Sequence, residues 1–135
     1  MQLAQHAIHH PTKAADTGAY SSGVLCQGWL YISGHASIDL KTGQVIGETI
    51  EEQTFETLQL IEQLIMVAGG DRRHIVKCSV HLADISEFDR FNRAYSQFFA
   101  GCTLPARTTV GSQLPDIKIE IDAVAYIPTA VKELY

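Results

Sequence analysis

Leu104 to Tyr126 reads LPARTTVGSQLPDIKIEIDAVAY, and its second half decides the fold. From Lys118 onward the pattern has period two. Ile119, Ile121, Ala123, Ala125 and Ile127 fall on one face, and Lys118, Glu120, Asp122 and Tyr126 on the other. Such alternation specifies a strand with one face in a core. The opposite face carries two carboxylates and then turns apolar at Val124, so the strand is expected to run from an exposed rim into a covered region. The first half of the stretch reads as a second short strand, joined to the other by a loop. It carries Arg107, fixed behind Pro105. Near Glu120 in a covered region, Arg107 would offer a planar fork of donors matched to a small carboxylate. The plainer reading of the two residues is an interfacial salt bridge.

Upstream of this stretch the helices carry the clearest signals. Thr49-Ile50-Glu51-Glu52 has the order of a capping box, a hydroxyl followed three residues later by a carboxylate, and predicts a helix start. Phe55, Leu58, Ile61, Ile65 and Ala68, with Leu60, Leu64 and Val67 alongside, form a wide apolar stripe that ends at Gly69-Gly70. A helix of this kind lies on a sheet. Ser86-Glu87-Phe88-Asp89 repeats the capping order and opens a second helix, on which Phe88, Phe91, Tyr95 and Phe98 make the core stripe. Asn92 sits at the edge of that stripe, within reach of a cleft or of solvent. Between the helices, Val76, Cys78, Val80 and Leu82 alternate with Lys77, Ser79 and His81, which predicts a strand and makes Cys78 a core residue rather than a nucleophile.

The N-terminal third is less regular. Residues 1–15 are weakly patterned, and His6, His9 and His10 lack a third ligand at metal-binding spacing, so this segment is expected to be solvated. Gly18 to Gly23 is a glycine-bounded polar loop. It lacks a phosphate-binding pattern and reads as a turn that carries Tyr20 towards a cleft. Val24 to Ser33 reads VLCQGWLYIS, two strand-like runs broken by Gln27-Gly28 as a tight hairpin. Gly34 then allows a close backbone approach, either by a ligand or at a β-bulge. Ile38 to Ile46 contains a turn, Asp39 to Gly43, between two short extended pieces.

The order of elements gives one α+β domain, two helices on one face of a mixed sheet. The other sheet face still carries apolar residues, and a second copy of the chain is its simplest cover, with ligand clefts at subunit boundaries. Composition narrows the function. At 135 residues, 46% hydrophobic and 19% charged, the chain is long enough for a real core, and its net charge of -5 without a Lys/Arg run makes nucleic acid an unfavourable partner. No apolar run reaches the roughly 20 residues of a membrane span, and the first residues lack the order of a secretory signal, so a cytoplasmic protein is expected. Three well-separated cysteines, Cys26, Cys78 and Cys102, fit reduced thiols.

Gly18-Ala19-Tyr20-Ser21, Leu30-Tyr31-Ile32-Ser33-Gly34, Ile50-Glu51-Glu52-Gln53-Thr54, Phe91-Asn92, Pro105-Ala106-Arg107-Thr108-Thr109-Val110 and Ile119 to Ala125 together resemble the RidA (YjgF/YER057c/UK114) family. They follow the family's order from about residue 16 to residue 128. The resemblance implies a chorismate-mutase-like fold assembled as a homotrimer with clefts between subunits. For the archetypal branch it implies cofactor-free, metal-free hydrolysis of enamines and imines such as 2-aminoacrylate to a 2-oxo acid and ammonia. Carried over by position, Arg107 would grip the substrate carboxylate and Glu120 would place or activate water, while Tyr20, Ser33, Gly34, Asn92 and Thr109 would line the pocket. The chain departs from the family pattern at Ala19, His35 and Thr109 and in a shorter 110–118 loop, all at the expected cleft. A non-catalytic metabolite-binding or chaperone-like trimer is the alternative of a different class, and an endoribonuclease the third reading.

Overall fold

The structure, a computed structural model, describes residues 4–13 and 18–128. Strands β1 (Gln5–Ile8), β2 (Gly23–Cys26) and β3 (Trp29–His35) precede helix α1 (Ile50–Val67). Strand β4 (Ile75–Leu82), helix α2 (Phe88–Phe98) and strands β5 (Ala106–Gly111) and β6 (Ile119–Tyr126) follow. Together the strands make one six-stranded sheet in the order β1-β2-β3-β6-β4-β5. Only the β4–β5 pair is parallel, because α2 forms the crossover between them, and the other pairs are antiparallel. The α+β architecture is therefore the expected one, with both helices on one side of a mixed sheet.

Strand β6 lies at the centre and its alternation is fully expressed. Ile119, Ile121, Ala123, Ala125 and Ile127 are buried under the helices together with Leu58, Ile61, Leu64 and Ile65 of α1. Burying each of the larger aliphatic side chains contributes about 1.5–3 kcal/mol. The β2–β3 hairpin turns at Gln27 and Gly28, with φ of 52° and 86°. Two successive positive φ values give the hairpin a twist matched to its strands.

Helix α1 begins as its sequence dictates. The Glu52 amide donates to Thr49 Oγ1 and the Thr49 amide donates to Glu52 Oε1, each at 3.1 Å. Its buried stripe differs from the one expected. Phe55 is 44% exposed and meets Phe98 edge-on at 6.1 Å, and Val67 is exposed, while Gln53, Thr54 and Thr57 are buried. Gln53 accounts for its own burial by donating to Gly47 O and accepting from the Lys118 amide, which ties the helix start to the entry of β6.

Three further expectations are corrected. The pairing of β4 with β6 shifts between Ile75 and Lys77, so this bulge turns Val76 outward and buries Ile75 instead. Asp84, rather than Ser86, caps the turn before α2. Its carboxylate accepts from the Ser86 amide and hydroxyl, and Ile85–Glu87 forms a 3₁₀ turn before the α-helix starts at Phe88. The weakly patterned N-terminus contains β1, paired to β2 at the sheet edge; residues 1–3, 14 and 15 of that segment lie outside the described residues. The Ile38–Ile46 segment forms the expected turn at Asp39 to Gly43, with a single bridge, Ile38 to Val45, joining its two flanks.

The face of the sheet away from the helices is open. Trp29 and Tyr126 pair across β3 and β6 with ring centroids 4.5 Å apart, and Tyr31, Val76 and Val110 are exposed. No helix among the described residues is long and apolar enough to cross a membrane.

Candidate functional site

The open face holds one group of the candidate residues. At the end of β3 the pairing with β6 is broken by a bulge between Ile32 and His35. Within this bulge Ser33 is held three ways. Its amide donates to Ser22 O at 2.9 Å, its hydroxyl donates to Ser21 O at 2.6 Å, and its carbonyl lies 2.6 Å from His35 Nδ1. These bonds tie the strand end to the loop that carries Tyr20. Because the hydroxyl proton is committed to Ser21, the Ser33 oxygen presents lone pairs to its surroundings.

Gly34 sits next to it for a steric reason. A Cβ at this position would lie 2.5 Å from Glu120 Oε1, so only glycine lets the Glu120 carboxylate rest against the strand. The sequence left a bulge and a close approach open at Gly34. The structure has the bulge, and the group lying against Gly34 is the chain's own Glu120 carboxylate. Tyr20, Ile32, Ser33, Gly34, Glu120 and Asp122 line a shallow cleft here. Asp122 shares the Glu120 face through the two-residue period, a signal that was present in the sequence without marking it as a site residue.

Arg107 and Thr109 lie elsewhere. Arg107 pairs with Cys78 on β4, and Cys78 also pairs with Ala123 on β6; Cys78 and Ala123 are buried on the helix side, so Arg107 points there too. Glu120 pairs with His81, which is paired in turn with Val110 on the open side. Within one chain, then, Arg107 and Glu120 occupy opposite faces of the sheet with β4 between them. The proximity considered from the sequence does not occur in a single copy, because one strand separates the two and the register puts them out of phase.

The surroundings of Arg107 are aromatic. Its guanidinium carbon lies 4.8 Å from the Tyr95 ring centroid, 5.2 Å from that of Phe91 and 5.6 Å from that of Phe88. No carboxylate lies within ion-pair distance of it among the described residues. Asn92 follows Phe88 by four residues and precedes Tyr95 by three, so it shares this helix face. Thr109, two residues after Arg107, points the same way, and its buried Oγ1 has no hydrogen-bond partner among the described residues. Beneath them Cys78 is a core residue as expected, its thiol pushed up to about 11 by burial. The seven candidates therefore form two groups: Tyr20, Ser33, Gly34 and Glu120 on the open side, and Asn92, Arg107 and Thr109 beside α2.

His10 is the residue that sequence reasoning missed. Expected in solvent, it is only 5% exposed and its Nε2 lies 3.0 Å from Nε2 of His35. His35 Nδ1 faces a carbonyl and must donate, so His35 Nε2 accepts the proton carried by His10 Nε2. Burial holds both rings below the ordinary histidine pKa, His10 down to about 4, with the charge of Lys13 acting in the same direction. No local pattern marks this contact, which spans 25 positions of sequence.

A family model described as Endoribonuclease L-PSP matches residues 11–127. A RutC family protein of Saccharolobus solfataricus is 43% identical over 110 residues, covering 80% of this chain and 86% of that protein. The 2-iminobutanoate/2-iminopropanoate deaminase of Homo sapiens is 36% identical over 110 residues, 80% of each chain. Among solved structures, the YjgF gene product from E. coli superposes with a TM-score of 0.82 at 32% identity, covering 90% of this chain and 98% of that one. E. coli TdcF with bound serine gives a TM-score of 0.82 at 28% identity over the same shares.

Proposed function

The chain belongs to the endoribonuclease L-PSP (YjgF/Rid) family, and from that premise we propose that it hydrolyses small enamines and imines derived from amino acids, releasing a 2-oxo acid and ammonia. Relatives named 2-iminobutanoate/2-iminopropanoate deaminase support the reaction class. The observation that carries the reading is the Arg107 guanidinium, which stands over three aromatic rings with no carboxylate of its own among the described residues. A forked cation in such a setting is suited to the carboxylate of a substrate.

Because Glu120 lies on the other face, one copy supplies the carboxylate grip and a neighbouring copy supplies Glu120, Tyr20, Ser33 and Gly34. A homotrimer that covers Trp29, Tyr31 and Tyr126 brings the two groups together at each subunit boundary. In the reaction, the imine is protonated and its carbon is electrophilic. Glu120 takes a proton from a water as that water adds to the carbon, giving a carbinolamine. Glu120 passes that proton to the amine nitrogen, and as the C–N bond breaks and ammonia leaves it takes up the hydroxyl proton, so that the carbonyl forms. Ser33 and Thr109 fix the orientation of the bound acid, with Asn92 and Tyr20 at the mouth. The chemistry needs position and proton transfer only, which is what a site of so few polar groups can supply.

The test is a coupled assay of ammonia release from imines generated in situ by an amino-acid oxidase, with Arg107→Ala and Glu120→Gln beside the wild type. Turnover by the wild type well above the spontaneous rate, lost in both variants while the assembly is kept, supports the proposal. Full turnover in Arg107→Ala rejects it. Saturable binding of 2-oxo acids without ammonia release would make the protein a metabolite binder instead.

A further inference from the structure

Behind the Tyr20–Gly34 wall of the open-face cleft lies a second void of about 320 Å³, and its lining is unlike that of the cleft. Its roof comes from the Asp39 to Gly43 turn and its floor includes Leu60 of α1, while His10, Lys13, Ser22 and His35 close the side. Tyr20 and Gly34 border both spaces. We propose that this cavity is the side-chain pocket of the site, and that it selects an imino acid whose side chain ends in a second carboxylate. The inference rests on the deaminase reading above and names the substrate class for it.

The charges on the cavity wall favour an anion. Lys13 Nζ lies 3.4 Å from Ser22 Oγ and 5.4 Å from the Tyr20 ring centroid, so its ammonium is held at the wall shared with the cleft. Its field reaches both histidines and contributes to lowering their pKa values. Lys41 supplies a second ammonium from the turn. Asp39 is the acidic residue of the lining, and its Oδ1 is already occupied by the amides of Lys41 at 2.8 Å and Thr42 at 3.0 Å. That carboxylate closes its own turn and is screened from the interior by its amides.

The two histidines set the shape of the pocket. With His35 Nδ1 committed to Ser33 O and the facing Nε2 atoms sharing one proton, the pair is neutral and rigid and leaves the lysines as the anion-binding groups. The same bonds fasten the N-terminal segment to the strand end that carries Ser33 and Gly34. A substrate whose reacting carbon lies beside Glu120 would then pass its side chain along Tyr20, which borders both spaces, and place a terminal carboxylate between Lys13 and Lys41. Charge-assisted bonds of this kind in a partly enclosed space discriminate strongly against an alkyl group.

The test uses the unreactive products and the reactive substrates separately. Calorimetric titration compares 2-oxoglutarate with 2-oxobutanoate on the wild type and on a Lys13→Met/Lys41→Met double variant. The dicarboxylate is expected to bind at least about tenfold more tightly to the wild type, and the ratio to fall to within about threefold in the variant. Equal affinities in the wild type, a preference that survives the double substitution, or no saturable binding of either acid overturns the pocket. Ammonia release is then measured from the imines of glutamate and alanine. A dicarboxylate preference in binding with no ammonia from either imine leaves the pocket standing and removes the deaminase reading. Ammonia released equally from both, with equal binding, does the reverse.

Discussion

Arg107 and Glu120 lie on opposite faces of one sheet, on β5 and β6, with β4 between them. Two strand spacings across and a three-residue offset along the strands put their backbones about 14 Å apart before the side chains diverge. If the proposed site is shared between copies, inactive variants should complement each other. Arg107→Ala and Glu120→Gln, unfolded together in equal amounts and refolded, should regain about a quarter of wild-type sites, since a working site then needs one unmutated contributor from each side. Activity in the refolded mixture no higher than that of the separate variants would count against a shared site.

Gly34→Ala isolates the role of the close approach. The new Cβ would fall 2.5 Å from Glu120 Oε1, the far end of a flexible side chain, so the carboxylate moves while the backbone stays. Stability should change by less than about 1 kcal/mol. By contrast kcat should fall about tenfold or more through misplacement of the general base. A variant as active as the wild type would show that the position of Glu120 against the strand is immaterial.

The His10–His35 pair predicts a distinctive pH dependence of stability. Unfolded His10 binds its proton near 6.5, and folded His10 only near 4. Between those values the unfolded state holds more protons, so folding is weakened progressively as the pH falls from about 6.5 to 4, and His35, also lowered, adds to the loss. Denaturation midpoints at fixed protein concentration should decline across that window. His10→Gln should flatten the decline even if it lowers the midpoint at pH 7. A slope identical to that of the wild type would place the titration elsewhere.

Arg72 joins the two helices in a way lysine cannot reproduce. Its Nε and Nη2 donate to the Glu62 carboxylate, its Nη1 donates to Phe98 O at 2.7 Å, and its guanidinium carbon is 3.8 Å from the Phe98 ring centroid. Partial exposure weakens the ion pair itself, so the stacking and the bond to the end of α2 carry most of the effect. Arg72→Lys should cost about 1 kcal/mol in equilibrium denaturation. An unchanged stability would show that the charge alone suffices.

Much of this fold is written locally. The alternation from Ile119 to Ile127, the Thr49 to Glu52 capping box and the Gln27-Gly28 turn each depend on neighbours a few residues away, and each forms as read. The sequence was misleading where a single inserted residue changed the phase, as at Val76, or where a nearer carboxylate competed for a cap, as Asp84 does. The ordering of Asn92, Arg107 and Thr109 beside α2 and of Tyr20, Ser33, Gly34 and Glu120 on the open face lay within reach of strand periodicity only once the partners of β4 were known.

What the sequence by itself determined is the two helices, the strands from β2 onward and most of the residues that enter the core, because apolar spacing and turn chemistry act over a few residues. The tertiary structure decided which faces the candidate residues share, because that follows from strand order and register over long separations. Arg107 and Glu120 have residue types that suggest a pair, yet the interposed β4 parts them. His10 has neighbours that suggest solvent, yet a hydrogen bond to His35 buries it. In both cases the deciding contact joins segments far apart in the chain, and no period in the sequence records it.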